Sequence, residues 1–377
     1  PRSAFTDLAL ENLKRLVESK SSLIKKALGT DWYMEEEGLL VKGNIRSPGD
    51  SVVFDCGESG STLRFLIPIA LMFPGQFSFI GHGRLMERPI EPYLKAFEAK
   101  EAVVSLKGDV LTVQGPIGPG IYRLPGEISS QFITGLLLAL PLLDGDSELI
   151  LTSTLESKAY VDITISVMRS FGVQVENKGY QRFIIPGRQI YRPCMYNVEA
   201  DFSGAAFFLV AGALGYPIEC FGLNQNSIQG DREILKILNT CGVRIKYSQE
   251  GAIRTTVGPL TGINVDARDI PDLVPPLVAL LCFCKGESRI INAGRLRMKE
   301  SDRLNALTQE FNRLGAHITQ GKDWLRIKGV DTLRGGNVDS HNDHRIAMAL
   351  AVASVKSNGP VNIINPSCVD KSYPGFW

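Results

Sequence analysis

The sequence predicts an α/β fold built from an internal repeat of about 70 residues and divided between two domains. Three observations carry this. A short polar segment runs into an apolar stretch five times along the chain. An amphipathic helical pattern follows each of the first four. Three of those patterns then pass through a glycine into a β-rich run.

The five polar segments are Cys56-Gly57-Glu58-Ser59-Gly60-Ser61-Thr62-Leu63-Arg64, Ser129-Ser130-Gln131-Phe132, Asp201-Phe202-Ser203-Gly204, Ile270-Pro271-Asp272-Leu273, and Ser340-His341-Asn342-Asp343-His344-Arg345-Ile346-Ala347-Met348-Ala349. From Ser59 to Ser129, Ser203, Asp272 and His344 the steps are 70, 74, 69 and 72 residues. The apolar stretches that follow, such as Phe132–Leu143 and Leu273–Cys284, are apolar nearly all round and predict interior helices. The amphipathic patterns fall at Glu91–Ala99, Val161–Phe171, Asp231–Cys241 and Ser301–Leu314. Phe171-Gly172-Val173, Cys241-Gly242-Val243 and Leu314-Gly315-Ala316 predict a glycine at the helix C-terminus where the chain turns into a strand. An earlier copy stands at Leu28-Gly29-Thr30, and the copy near Lys100 lacks the glycine. Strands are expected in Val52–Phe54, Leu149–Thr152, Arg182–Ile185 and Val361–Ile364. Each unit therefore reads as strand, buried helix, strand, amphipathic helix and one or two further strands.

Length and composition exclude several classes. At 377 residues the chain is too long for one core, and the Pro/Gly/Arg-rich stretch from Ile185 to Pro193 is the best boundary. Hydrophobic content of 44% and charged content of 21% are those of a globular α/β protein. A net charge of +1, without a Lys/Arg stripe interleaved with aromatics, argues against nucleic acid as partner. The apolar stretches are shorter than the roughly 20 residues of a bilayer span, so no membrane partner and a cytoplasmic location are expected. Seven cysteines, an odd number mostly in apolar context, suggest reduced thiols rather than a disulfide framework. Cys282-Phe283-Cys284 has no matching pair at zinc-site spacing, so no metal is expected.

The junctions of the repeat collect cations: Arg64, Arg84, Arg88, Lys158, Arg295, Arg297, Lys299, Arg303, Arg345 and Lys371. Arginine forks and helix N-termini both suit phosphate and carboxylate, so a doubly anionic ligand pair is the inference. Among the sparse carboxylates Asp272 and Glu300 stand out. A carboxylate among cations stays ionised and can act as a general base, with a neighbouring Lys or His as acid. Each polar segment taken alone reads equally as an ordinary helix cap with solvated neighbours, as does Asp272; the repetition favours the anion site.

Five segments carry a resemblance: Leu85-Met86-Glu87-Arg88-Pro89-Ile90 after Arg84, Ser129-Ser130-Gln131-Phe132, Asn226-Ser227-Ile228-Gln229-Gly230-Asp231, Met298-Lys299-Glu300-Ser301-Asp302-Arg303-Leu304, and Asn342-Asp343-His344-Arg345-Ile346-Ala347-Met348. In order and over the chain from about residue 50 onward, they resemble the signature segments of the 5-enolpyruvylshikimate-3-phosphate synthase family. The resemblance implies two similar α/β domains, residues 1–190 on the shikimate 3-phosphate side and 191–377 as the second. Each would hold three βαβαββ repeats with buried parallel helices, in an inside-out barrel-like arrangement, and a hinge near residues 187–193 would close them over substrate. It also implies transfer of the carboxyvinyl group of phosphoenolpyruvate to the 5-hydroxyl of shikimate 3-phosphate, with no cofactor, in a monomer whose partners are those two small molecules.

By motif, the resemblance implies that Ser129, Ser130 and Gln131 bind shikimate 3-phosphate together with Ser157, Tyr160, Asp272 and Lys299. Gly60, Arg84, Gln131, Arg303, Arg345 and Lys371 would hold phosphoenolpyruvate. Asp272 resembles the base and Glu300 the acid that protonates C3, with Lys299 close by and His344 as a further proton-handling candidate. Gly60 keeps the small residue that a glyphosate contact would require. Two departures stand out. The family's opening strand with its Lys-Ser and Arg substrate contacts has no counterpart after Pro1-Arg2-Ser3-Ala4, so a preceding segment is expected to complete the second domain. Glu58 stands where many members carry Asn, which would alter anion affinity. The UDP-N-acetylglucosamine enolpyruvyl transferases, which use a loop Cys, are an alternative, but no cysteine here lies in a Pro-Gly-Gly-Cys-like loop. A non-catalytic homologue is the other.

Overall fold

The computed structural model of the protein describes residues 31–35, 38–43, 52–249 and 251–377. The Leu28-Gly29-Thr30 copy and the Pro1–Ala4 segment lie outside the described residues. The chain divides into two compact units. The first comprises residues 1–155, 164–193 and 370–377; the second comprises 156–163 and 194–369. Relative to a single break at 190/191, the segment 156–163 therefore groups with the second unit and the last eight residues with the first.

In the first unit β1 (Asp31–Glu35) and β2 (Gly38–Lys42) form an antiparallel hairpin. β3 (Val52–Asp55), α1 (Gly60–Ala70), β4 (Gly75–Ile80), α2 (Glu91–Glu98), β5 (Val103–Lys107) and β6 (Val110–Gly115) make one repeat. Its sheet runs β3-β4-β6-β5, with β3 and β4 parallel and the other pairs antiparallel. A parallel pair needs a crossover, and α1 is that crossover. β7 (Gly120–Leu124), α3 (Ser130–Ala139), β8 (Ser147–Leu151), α4 (Lys158–Ser170, of which residues 158–163 group with the second unit), β9 (Glu176–Lys178) and β10 (Arg182–Ile185) repeat the plan with sheet order β7-β8-β10-β9. Alternation along β3 and β4 puts Phe54 and Phe79 side by side on the buried face; their rings stack 4.7 Å apart.

The second unit opens with α5 (Phe202–Ala213), β11 (Glu219–Cys220), α6 (Glu233–Thr240), β12 (Arg244–Tyr247) and β13 (Ile253–Thr256). The strand expected before α5 is absent from residues 191–200, and β11 is two residues long. Tyr196-Asn197-Val198-Glu199-Ala200 alternates as a strand would, but Tyr196 and Val198 are 41% and 76% exposed, so the alternation buries no face there. β14 (Asn264–Asp266), α7 (Val274–Leu281), β15 (Glu287–Ile291), α8 (Arg303–Arg313), β16 (His317–Gln320) and β17 (Leu325–Lys328) form a complete repeat, ordered β14-β15-β17-β16. β18 (Gly336–Asp339), α9 (His344–Ser354) and β19 (Val361–Ile364) form half of another, with the two strands parallel.

The all-apolar helices are interior, as expected. α5, α7 and α9 pack on one another in the second unit and α1 on α3 in the first. At Gly135 in α3 an added Cβ would strike the Tyr93 hydroxyl and the Arg64 carbonyl oxygen, so α1 and α3 meet at backbone distance. The buried Tyr93 hydroxyl reaches the carbonyls of Arg64 at 2.8 Å and Phe132 at 3.0 Å, and so ties the pair together. The helix-ending glycines also behave as read: Gly172, Gly242 and Gly315 have φ of +83°, +91° and +90°. After α2, where the glycine is missing, Glu101 takes the left-handed conformation instead, with φ +60°. The turn is a property of the unit, and a non-glycine residue carries its strain.

Candidate active site

In the first unit the site residues gather where α1 and α3 begin. Ser59 caps α1, its hydroxyl oxygen accepting the Thr62 N–H at 3.2 Å. Ser129 caps α3, accepting the Gln131 N–H at 3.3 Å. Such tips present N–H groups that lack intrahelical partners and the positive end of the helix dipole. The buried Arg64, one turn into α1, crosses to α3: its guanidinium donates to the Gln131 side-chain oxygen at 2.7 Å and to the Pro89 carbonyl at 3.0 Å, and it lies 4.7 Å over the Phe132 ring.

Of the two arginines in the Arg84–Pro89 segment, the structure sets Arg88 against the α1 tip. A Cβ on Gly60 would lie 3.0 Å from guanidinium atoms of both Arg64 and Arg88. Arg84, 43% exposed, pairs instead with Glu87 at 3.1 Å. Pro89 explains the difference. The residue before a proline is driven out of helical conformation, so the one-turn helix Leu85–Glu87 stops and Arg88 is extended, with φ −76° and ψ 146°. That dipeptide was the signal in the sequence that distinguishes Arg88 from Arg84. Lys371 pairs with Glu58 at 2.7 Å, so the carboxylate that departs from the family pattern sits on one of the expected anion-binding lysines.

In the second unit the tips of α5, α7 and α9 converge on Arg345. Its guanidinium donates to the Ser203 hydroxyl at 3.0 Å and to the Asp272 backbone carbonyl at 3.2 Å. Asp201 and Asp343 are ordinary caps: Asp201 accepts the N–H groups of Ser203 and Gly204, and Asp343 that of Arg345. His341 and Asn342, both with positive φ, bend the chain into that cap. Asp272 is different. It lies in the one-turn helix Pro271–Leu273 ahead of α7, and α7 has no side-chain cap. Its oxygens face Arg303 at 3.0 Å, Lys299 at 3.5 Å, Arg345 at 3.6 Å and the Tyr160 hydroxyl at 3.4 Å.

Arg303 is committed to three carboxylates. Only 2% exposed, it donates to Asp343 at 2.8 Å, Glu300 at 2.7 Å and Asp272 at 3.0 Å. Ser301 donates a further hydrogen bond to Asp343, whose side chain is 0% exposed. Burial alone would raise the Asp272 carboxyl, but the charges of Arg345, Lys299 and Arg303 outweigh it and hold the group well below the usual carboxylate range. His344 goes the other way: burial and the adjacent Arg345 push it down to about 4, so it is a neutral imidazole at pH 7.

Ser157 and Tyr160 lie in the same unit. The Ser157 hydroxyl accepts from Arg295 at 2.9 Å and its N–H donates to Asp269 at 2.7 Å, while Arg295 pairs with Glu156 at 2.6 Å. Tyr160 donates to Asp231 at 2.8 Å. The sequence assigned no role to Asp231, nor to Asp343, although both stand inside segments that it singled out. Only their burial and partners, which are tertiary facts, set them apart.

A family model described as EPSP synthase (3-phosphoshikimate 1-carboxyvinyltransferase) matches residues 19–377. The 3-phosphoshikimate 1-carboxyvinyltransferase of Clostridium perfringens is 47% identical over 355 residues, covering 93% of this chain and 84% of that protein. Its namesake in Clostridioides difficile is 42% identical over 373 residues, covering 98% and 84%. A solved EPSP synthase from Acinetobacter baumannii superposes with a TM-score of 0.72 at 23% identity, over 93% of this chain and 83% of that one, a likeness of fold.

Proposed function

The chain belongs to the EPSP synthase (3-phosphoshikimate 1-carboxyvinyltransferase) family, and from that premise we propose that it transfers the enolpyruvyl group of phosphoenolpyruvate to the 5-hydroxyl of shikimate 3-phosphate. Phosphate is released, and the product leads to chorismate and the aromatic amino acids. The observation that carries the assignment of roles is Asp272, a carboxylate held ionised among Arg303, Lys299 and Arg345 instead of capping its helix.

In this reading Asp272 orients the 5-hydroxyl and accepts its proton as the oxygen attacks C2 of phosphoenolpyruvate. A carboxylate with so low a pKa is a weak base toward a resting alcohol. It takes the proton only as the new C–O bond forms and the hydroxyl becomes acidic. Glu300 delivers a proton to C3, and the nearby cations stabilise the tetrahedral phospho-ketal that results. Loss of a C3 proton and of phosphate restores the vinyl group. His344, neutral at pH 7, serves as a hydrogen-bonding partner more readily than as an acid.

The Ser129, Ser130 and Gln131 tip, Ser157, Tyr160 and Lys299 are assigned to shikimate 3-phosphate. Gly60, Gln131, Arg345 and Lys371 are assigned to phosphoenolpyruvate. Arg88 joins them in place of the exposed Arg84, and Arg303 adds its charge while keeping its three carboxylates in register. The reading takes the chain to act in the cytoplasm, as a monomer, on these two small anions. No helix among the described residues is long and apolar enough to cross a membrane.

The test is phosphate release by the purified full-length protein supplied with both substrates. Release with both and with neither alone is expected, and Asp272→Asn should lower kcat by about 10²–10⁴-fold while shikimate 3-phosphate still binds. Absence of release from the wild type, or full turnover by Asp272→Asn, would overturn the assignment.

A further inference from the structure

Asp231 is a buried carboxylate that the reaction as written leaves unused. It is 4% exposed, and its Oδ1 has no hydrogen-bond partner among the described residues. Its Oδ2 accepts from the Tyr160 hydroxyl at 2.8 Å, and the same hydroxyl oxygen lies 3.4 Å from Asp272 Oδ2. One phenol therefore stands between two carboxylates. A carboxylate so far from solvent is expensive to keep unless it serves a purpose. A hydrogen-bonded carboxylate–phenol–carboxylate row is a path along which a proton can pass.

We propose that Asp231 is a positioning residue that clears the base: a proton taken by Asp272 passes to the Tyr160 oxygen while the Tyr160 proton passes to Asp231. The proposal rests on the transferase reading of the same site. Protons alone move. The substrate O–H bond breaks and an O–H bond forms on Asp272. That bond then breaks as one forms on Tyr160, and the original Tyr160 O–H bond breaks as one forms on Asp231. Tyr160 ends as it began, neutral, which suits a phenol whose own ionisation is suppressed by burial and by Asp272 and Asp231. The gradient runs the right way. Burial first, and then the charge of Asp272, push Asp231 up to about 7, whereas Asp272 lies well below the usual carboxylate range. The charged and titratable groups facing Asp231 are Asp272, Tyr160, Arg345 and Asp201. Of these, Arg345 alone is a cation, and it is shared with Asp272. Asp231 must be ionised to receive the proton, so turnover should rise with pH through its titration.

The experiment is the pH dependence of kcat, from pH 5.5 to 9, for the wild type, Asp231→Asn, Asp231→Glu and Tyr160→Phe, with phosphate release as readout and circular dichroism as a check of folding. The wild type should show an acid-side inflection near 7 that Asp231→Asn and Tyr160→Phe both lose, with kcat down about 10²-fold, and that Asp231→Glu restores. Tyr160→Phe keeps both carboxylates and interrupts the path; its loss of a shikimate 3-phosphate contact is read in KM, and the pH profile of kcat at saturating substrate reads the path, so it decides the matter if Asp231→Asn fails to fold. An inflection that persists in the variants, as one belonging to the substrates' own phosphate groups would, overturns the relay while leaving the transferase reading intact. A wild type without activity overturns both.

Discussion

Replacing Arg303 with Met should destabilise the second unit more than any other single change in the site. The side chain is 2% exposed and bonds three carboxylates, one of which, Asp343, is 0% exposed. Methionine fills a similar volume and leaves Asp343 desolvated without its counter-charge. Removing one partner of a buried pair costs about 3–5 kcal/mol, a large share of the 5–15 kcal/mol that typically holds a domain folded. We expect about 4 kcal/mol at pH 7.5. The pH dependence fixes the sign. In the wild type, burial would raise Asp343, but Arg303 outweighs it and the carboxyl is lowered. That contribution to stability is present above the unfolded carboxylate pKa of about 4 and is lost as pH falls through the lower folded value. Without Arg303 burial prevails, the folded pKa rises above the unfolded one, and the destabilisation grows as pH climbs from about 4 through that raised value. The difference between the two proteins should therefore be smaller at pH 5 than at pH 7.5. Hydrogen exchange of the α8 and α9 amides under increasing urea reports the opening of this unit by itself. A difference under about 1 kcal/mol at pH 7.5, or one that widens toward pH 5, would refute the reasoning.

Three further outcomes are expected. Gly135→Ala drives a methyl group into the Tyr93 hydroxyl and the Arg64 carbonyl; overpacking of about 1–3 kcal/mol should lower Tm by roughly 2–12 °C, and an unchanged melting curve would mean that α1 and α3 do not approach so closely. Arg88→Ala should raise KM for phosphoenolpyruvate about 10-fold or more, as expected for loss of a hydrogen-bonded charge, and Arg84→Ala by no more than about 3-fold, since its pair with Glu87 is exposed; the reverse order would return the role to Arg84. The His344 imidazole should titrate near 4 by NMR. Because its folded pKa lies below its unfolded one, stability is lost as pH falls through 6.5 toward 4, and His344→Gln should blunt that loss; a titration near 6.5 would show the ring to be solvated.

Much of the architecture was legible because it is written in local patterns. Five polar-to-apolar transitions mark five interior helices among the described residues, and three glycines mark helix ends with positive φ. Local pattern also misled. The repeat plan of strand, buried helix, strand predicts a strand before each interior helix, yet residues 191–200 before α5 carry none. In the site, Asp272 and Asp343 look alike in sequence, each next to a helix start, but Asp343 caps its helix while pairing with Arg303, whereas Asp272 caps nothing and faces Arg303, Lys299 and Arg345. Arg303 reads as a free basic group beside a helix, and only the folded chain shows three carboxylates closing on it. Asp231 gave no sign of its isolation, because burial depends on what other repeats bring near it. Side-chain chemistry is visible in a sequence, whereas the pairing of charges across 30 to 110 positions is not.

The Lys371–Glu58 pair joins positions 313 residues apart. At about 5–20 residues per second of elongation, Glu58 waits roughly 15–60 s on the ribosome before its partner is made. The α1 tip therefore cannot be completed until synthesis has passed Lys371. Replacing Lys371 with Ala should therefore be felt at the α1 tip, 313 residues away in sequence, rather than in the helices just upstream of the change.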